Sequence, residues 1–480
     1  MTERSTSVPP LAVEPGFFRG RGIPELQQAM AEGGLTAQDL VRHAGAAIER
    51  LDPQLNAFVH VDIDAALATA RERDAERAQG KVRGPLHGIP VAIKDNVDTA
   101  DMPTTMGAAH FLGHRPRADA HCVALLREAG AIVVGKTLTH EFAYGPTGDR
   151  SVQGAARNPW RTSQITGGSS AGSAAAVASG MVPVALGTDT GGSVRVPSAL
   201  CGLVGFKPTH GRVSDAGVFP LSPTLEDPGV LANCVEDAQL FMQALSGGAI
   251  AMASAGGSTG GTTGNSTSNS TSNSTGGSEG PRVAWVPNAP FAINDPAVTA
   301  CVRAAAQRLA GGPLREAPEV TRHARALQTA LGAIQRAEAY EVHAERVEDQ
   351  PEKFDPEVLE RLRASRGVQG WEYVRALKER ARLQAEFARL FQDVDVLALP
   401  TVAITAPALQ QRSVAGPGSA GVRETLLGLT NPWNVLGLPA ISLPAGWVNG
   451  LPVGLQLVAA AGADEALLAL AASRWQAPRE

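Results

Sequence analysis

The chain is poor in several things that would have pointed to a function. Its four cysteines, Cys122, Cys201, Cys234 and Cys301, lie far apart in 480 residues with no Cys-x-x-Cys. Neither a zinc ribbon nor a disulfide framework is suggested, and buried free thiols are expected. Lys plus Arg number 42 against 47 Asp plus Glu, a net charge of −5, and no run of five like charges occurs. The basic footprint of a chain that grips nucleic acid directly is missing. No span of about 20 predominantly apolar residues is present; the longest charge-free stretch, Thr162 to Thr188, is rich in Gly and Ser, so no transmembrane helix is expected. The first twenty residues contain acidic residues and prolines without an apolar centre, which does not read as a secretory leader and sets the expectation of a cytoplasmic protein.

Glycine and proline are plentiful, with 52 and 33 residues. Part of the glycine falls between Ser254 and Gly280, in SAGGSTGGTTGNSTSNSTSNSTGGSEG. Nothing there can offset ordering entropy, so a disordered surface insertion is expected at 254–280. Its Asn-Ser-Thr triplets are explained by repetition of a low-complexity unit.

Elsewhere the patterning is that of a folded α/β chain. Thr36 and Asp39 fit an N-terminal cap, followed at helical spacing by Leu40, Val41, Ala44, Ile48 and Leu51. Short β-branched runs at Val91 to Ile93, Ala131 to Val134, Val182 to Leu186, Val283 to Val286 and Val394 to Leu399 alternate with Ala-rich helical stretches. A largely buried central sheet is the expectation. The segment 321–393 turns charged and helical. In Trp371 to Phe391 an apolar face is expected on Val374, Leu377, Ala381, Leu383, Phe387 and Leu390, with Glu372–Arg375, Glu379–Arg382 and Glu386–Arg389 pairing at i, i+3. This reads as a solvated helical layer, with a lid over substrate as the other option.

One literal motif misleads. Gly130 to Thr137, GAIVVGKT, matches G-x-x-x-x-G-K-[ST]. A phosphate-cradling loop needs backbone that curls, whereas Ala131, Ile132, Val133 and Val134 prefer extended geometry. Gly130 is expected to stop a helix and Gly135 to end a buried strand.

Three local features carry chemistry. In GIPVAIKDN an apolar strand ends at Lys94. Burial there disfavours the ammonium and favours a neutral, proton-accepting amine, although a lysine at a strand end can equally reach solvent. GGSSAGSAAA, Gly167 to Ala176, is a Gly-Ser turn feeding a helix, able to bind an anion or merely to cap. GTDTGGSVRVPS, Gly187 to Ser198, turns sharply at Gly191 and Gly192 before Ser193, as an oxyanion hole or a plain tight turn would. A serine needs a base to become a nucleophile. No histidine sits in a G-x-S-x-G or H-E-x-x-H context, so lysine is the better candidate.

Together with HGIPVAIKDNVDT, ITGGSSAGSAAAVASG, GTDTGGSVRVPSALCGLVGFKPTHGRVS, NPWNVLGLPAISLPAG and GLPVGLQLV, these features make the chain resemble the amidase-signature family from about Leu35 to Leu470. The resemblance implies a single large α/β domain with a mixed central sheet covered by helices on both faces. It implies a triad in which Ser193 is the nucleophile, Ser169 the bridging serine after a cis peptide bond, and Lys94 the base. It further implies an oxyanion hole from the amides of Thr190, Gly191, Gly192 and Ser193, supporting roles for Ser170 and Arg195, a small amide as substrate, and no metal or organic cofactor. Two activities share this pattern: a stand-alone amidase, the preferred reading, and the A subunit of a tRNA-dependent amidotransferase, which delivers ammonia from glutamine to partner subunits. A noncatalytic binding protein is disfavoured by the intact Lys94, Ser169 and Ser193. Monomer and homodimer are both open, and the sequence does not choose the amide.

Overall fold

A computed structural model describes residues 9–247, 280–287, 291–292, 294–414 and 420–477. The insertion expected at 254–280 lies outside the described residues, apart from Gly280.

In chain order the strands are β1 (Phe58–Val61), β2 (Pro90–Lys94), β3 (Ile132–Thr137), β4 (Arg157–Asn158), β5 (Arg161–Ile165), β6 (Val184–Asp189), β7 (Val204–Lys207), β8 (Asp227–Ala232), β9 (Val283–Trp285), β10 (Arg315–Glu316), β11 (Val396–Pro400), β12 (Ser413–Val414), β13 (Ala420–Gly421), β14 (Ala440–Val448) and β15 (Leu451–Val458). Eleven of them form one sheet in the order β1-β3-β2-β6-β8-β7-β14-β15-β11-β9-β10. The sheet is mixed. β2 runs parallel to both β3 and β6, while β6 to β8, β8 to β7 and β14 to β15 are antiparallel.

Strand alternation sends neighbouring side chains to opposite faces. Val396 and Ala398 join one apolar cluster, Leu397 and Leu399 the other. The first cluster is closed by the helix Pro296–Ala310 through Val298, Val302 and Leu309, the second by the helices Ala324–Asp349 and Gly370–Asp393 through Leu327, Ile334, Leu383 and Phe387. Both faces are therefore covered, as an α/β fold requires.

Local details follow the sequence where the signal is local. Thr36 and Asp39 make the reciprocal capping box of the helix Ala37–Leu55. The β14–β15 hairpin was not foreseen, although Asn449-Gly450 is a strong turn signal: both residues take positive φ, 53° and 75°.

Other expectations need correction. Gly135 lies inside β3 rather than at its end. Cys122 and Cys201 are buried, but Cys234 and Cys301 are only partly so. In the helix Gly370–Asp393 the buried residues are Ala376, Leu383 and Phe387, whereas Val374 and Ala381 face solvent. Of the three expected pairs, Arg382–Glu379 forms, and Arg382 also takes Glu386. Arg375 lies over the Trp371 ring instead, and Glu372 accepts from the Gln369 amide at the helix start. A helix start rewards a carboxylate more than a surface ion pair does.

Among the described residues no helix is long and apolar enough to cross a membrane, and no group of three or more His, Cys, Asp or Glu could hold a metal ion.

Candidate active site

Parallel pairing of β2 with β6 brings Lys94, at the last position of β2, beside Thr188 of β6. Lys94 is fully buried, and its Nζ lies 2.7 Å from Ser169 Oγ and 2.7 Å from Thr188 Oγ1. Asn96 Nδ2 donates to the same Thr188 oxygen at 3.2 Å. The lysine has not escaped to solvent. Burial pulls its pKa down to about 7, opposed by the nearby Glu226 and Asp189 charges. Glu226 responds in the opposite direction, raised to about 7 chiefly by burial.

Ser169 follows a cis peptide bond with Gly168, and its carbonyl accepts from the amides of His140 and Ala171. Next in the chain, Ser170 ties this turn to the other serine loop: its amide donates to Ser193 O at 3.2 Å and its hydroxyl to Thr188 O at 3.3 Å. Ser193 stands at the turn between β6 and the helix Arg195–Cys201, 6% exposed. Among the described residues its hydroxyl makes no hydrogen bond, which leaves it free for a ligand. Catalytic contacts of this kind tighten when substrate arrives.

Asp189 shapes the Ser193 turn. Its Oδ1 accepts from the Gly192 amide at 2.7 Å and its Oδ2 from the Val194 amide at 3.1 Å. The Gly192 amide is thus committed, which corrects its expected place in an oxyanion hole. Among the described residues the amides of Thr190, Gly191 and Ser193 have no acceptor. A side chain is excluded at Gly192, where φ is 136° and a Cβ would lie 2.2 Å from Thr430 Oγ1; at Gly191 a Cβ would lie 2.4 Å from Asn431 Oδ1 and would require that side chain to move.

Arg195 holds Asp189 in place. Its Nε and Nη2 reach Asp189 at 3.0 and 2.8 Å, while Nη1 donates to Gln456 Oε1 and Thr430 O and Nη2 to Asn434 Oδ1. Both side chains are fully buried; desolvation raises the Asp189 pKa, but the Arg195 charge and hydrogen bonds, the Lys207 charge and the Asn434 hydrogen bond together hold the carboxyl far below the usual range. Removing one partner of such a pair costs about 3–5 kcal/mol. Arg195 is therefore a positioning residue. Asn434, Gln456 and Thr430 were missed because more than 230 residues separate them from the turn; Asp189 had a local signal, an Asp opening a tight turn.

One wall of the Ser193 pocket comes from the 140–145 segment. Phe142 and Ala143 both take positive φ, 52° and 56°, a strained backbone for non-glycine residues. They set Tyr144 and Gly145 against Thr190, Gly191 and Ser193, with Gln335, Leu427 and Arg423 completing the pocket. A cavity of about 620 Å³ adjoins it, sharing Tyr144, Gln335, Arg423 and Leu427, and is walled by Leu331 and Arg361 of the helical layer. His140 behind this wall is kept neutral, its pKa lowered by burial and then by Arg361.

The phosphate-loop look-alike is excluded by its lysine. Lys136 is buried in β3 and spends its ammonium on Val97 O at 2.8 Å, Thr104 Oγ1 at 2.6 Å and the Asp95 carboxylate at 3.4 Å.

The family model described as Amidase matches residues 39–468. The A subunit of a glutamyl-tRNA(Gln) amidotransferase from Chloroflexus aggregans is 36% identical over 456 residues, covering 90% of this chain and 91% of that one. A crystal structure of an amidase superposes with a TM-score of 0.81 at 34% identity, over 94% of this chain and 98% of the other. A 6-aminohexanoate cyclic dimer hydrolase with bound substrate gives 0.78 at 26% identity, over 96% and 98%.

Proposed function

The chain belongs to the amidase family and is an amide-hydrolysing enzyme, and from that premise we propose that it is a stand-alone amidase working through Ser193, Ser169 and Lys94. The observation that carries the catalytic part of this reading is the buried 2.7 Å contact between Lys94 Nζ and Ser169 Oγ. A neutral Lys94 takes the Ser169 proton as Ser169 takes that of Ser193. Ser193 Oγ then attacks the amide carbonyl, and the amides of Thr190, Gly191 and Ser193 receive the oxyanion. The protonated lysine returns its proton through Ser169 to the leaving nitrogen, so that ammonia or an amine departs and an acyl-enzyme remains. Water, activated by the same relay, attacks the acyl carbon; Ser193 leaves with its proton restored and a carboxylic acid is released. No step calls for a metal or organic cofactor.

A second reading is favoured by the name of the Chloroflexus relative: the A subunit of a tRNA-dependent amidotransferase, in which the same serines would release ammonia from glutamine for a partner protein. Of the segment 361–382, whose sequence resembles stand-alone amidases, Arg361, Ala364 and Ser365 line the cavity.

A fluorophosphonate probe tests both the nucleophile and the division. Ser193 should be labelled, and labelling should vanish in Ser193→Ala and fall steeply in Lys94→Ala. A folded wild-type protein that resists the probe would sink the catalytic reading. Copurification with partner subunits and activity confined to glutamine would transfer the protein to the second reading.

A further inference from the structure

Two side-chain amides face the same side of Gly191. A Cβ added there would meet Asn431 Oδ1 at 2.4 Å and Gln335 Nε2 at 4.0 Å. Asn431 opens the helix Asn431–Leu436 and lines the cavity of about 620 Å³, while Gln335 belongs to the helix Ala324–Asp349 and lines both that cavity and the Ser193 pocket. The pair stands where the two spaces join.

Neither group is used by the protein itself. Asn431 Oδ1 is buried and, among the described residues, has no hydrogen-bond partner. Gln335 is only 8% exposed, and its Oε1 accepts from Arg423 Nη2 at 3.4 Å. Arginine can only donate, so this contact fixes which end of the Gln335 carboxamide is oxygen and leaves Nε2 for the side that faces Gly191. Among the described residues Nε2 has no acceptor. A buried acceptor without a partner is costly to the empty protein, and a donor on the substrate removes that cost.

The junction therefore offers one acceptor and one donor. A carboxylate would bring no donor to Asn431, an ammonium no acceptor to Gln335, and an alkyl chain neither. A trans secondary amide brings an N–H and a C=O on opposite edges of one plane. We propose that Asn431 and Gln335 bind a second amide of the substrate, Asn431 Oδ1 accepting its N–H and Gln335 Nε2 donating to its carbonyl, so that the enzyme takes a diamide and cleaves the amide lying over Ser193. This rests on the amidase reading above. A site built to pair an N–H rejects analogues that lack it far more strongly than an apolar pocket does.

The test measures ammonia release from N-acetylglycinamide, N-acetyl-β-alaninamide and N-methylsuccinamide. Each is compared with a keto-amide of the same length, in which a methylene replaces the N–H, and with a simple alkanamide, which also lacks the second carbonyl. In wild type, kcat/KM should favour the diamide over the keto-amide at one spacing by about ten- to a hundredfold, the range for a buried acceptor left unpaired, and the keto-amide over the alkanamide by a smaller factor. The variants should then split, each in protein whose thermal melt shows it folded. Asn431→Leu should bring the diamide-to-keto ratio toward one, with Asn431→Asp, which keeps an acceptor, retaining part of it. Gln335→Met should keep that ratio and flatten the keto-to-alkyl one. A second arm needs neither turnover nor a variant: the diamide should slow labelling of wild-type Ser193 by a neutral fluorophosphonate more than its keto analogue does. Labelled Ser193 with neither the preference nor the protection would overturn the subsite and leave the amidase intact. So would a preference that survives in folded Asn431→Leu, or variants that lower all three series together, as a merely structural role would. Failure of Ser193 to label at all would instead remove the amidase reading.

Discussion

Lys94 and Lys136 sit on neighbouring parallel strands, with Lys136 opposite Ile93 and Lys94 opposite Thr137. Both are fully buried, and burial lowers both pKa values. What differs is the company. Lys136 has the Asp95 carboxylate at 3.4 Å and the oxygens of Val97, Pro103 and Thr104 closing around it, whereas among the described residues Lys94 has only the hydroxyls of Ser169 and Thr188 within hydrogen-bonding distance. A contacting carboxylate makes a buried lysine an ion-pair partner; hydroxyls alone leave it free to lose its proton and accept another. The lysine in the conspicuous phosphate-loop pattern is thus an ion-pair partner, and the one at the end of an ordinary-looking strand touches Ser169.

Substitution should separate the two. Lys94→Met is expected to lower amide hydrolysis by roughly two to four orders of magnitude, the usual worth of a general base. Its effect on stability should depend on pH in a defined sense. The folded-state pKa of about 7 lies below the ordinary lysine value, so between the two the unfolded chain holds the extra proton. The cost of burying this amine is then full below about pH 7 and is relieved as pH rises above it. Relative to wild type, Lys94→Met should therefore be most stable in acid, as melting temperatures across that range would show; a constant difference would break the comparison.

Lys136→Met should do the reverse. It strands Asp95 in the interior and is expected to cost about 3–5 kcal/mol of stability, read from chemical denaturation. If Lys136→Met instead melted like wild type and lost turnover, the roles assigned to the two lysines would be exchanged.

The smallest effect expected is at Glu226, whose Oε1 is buried without a hydrogen-bond partner among the described residues and whose charge raises the Lys94 pKa. Glu226→Gln should shift the midpoint of the pH–rate profile to lower pH. A shift to higher pH would mean that Glu226 does not act on Lys94 in this way.

How much of this was legible in sequence depends on range. The capping box of Thr36 and Asp39, the strand ending at Lys94 and the two serine turns are written in adjacent residues, and family resemblance joined them. The partners of Arg195 were not legible, because Thr430, Asn434 and Gln456 reach it only after β14 and β15 complete the sheet. The commitment of the Gly192 amide to Asp189 depends on side-chain geometry that a glycine pair does not disclose. The apolar face of 371–391 was read from periodicity alone, and the helix turns Val374 and Ala381 outward because Ala376, Leu383 and Phe387 are the residues that pack. Arg423 gave no local sign at all: it stands beside Ser193 because the 140–145 segment, the helical layer and the residues before β14 converge there.

The account turns on Lys94 acting as the base for Ser193 through Ser169. Its most direct test is the rate of fluorophosphonate labelling at Ser193 as a function of pH, in wild type and in Lys94→Met. The wild-type rate should rise with pH through a single ionisation near 7, and the slow residual labelling of Lys94→Met should lack that ionisation. The same midpoint persisting in a folded Lys94→Met protein would contradict the account.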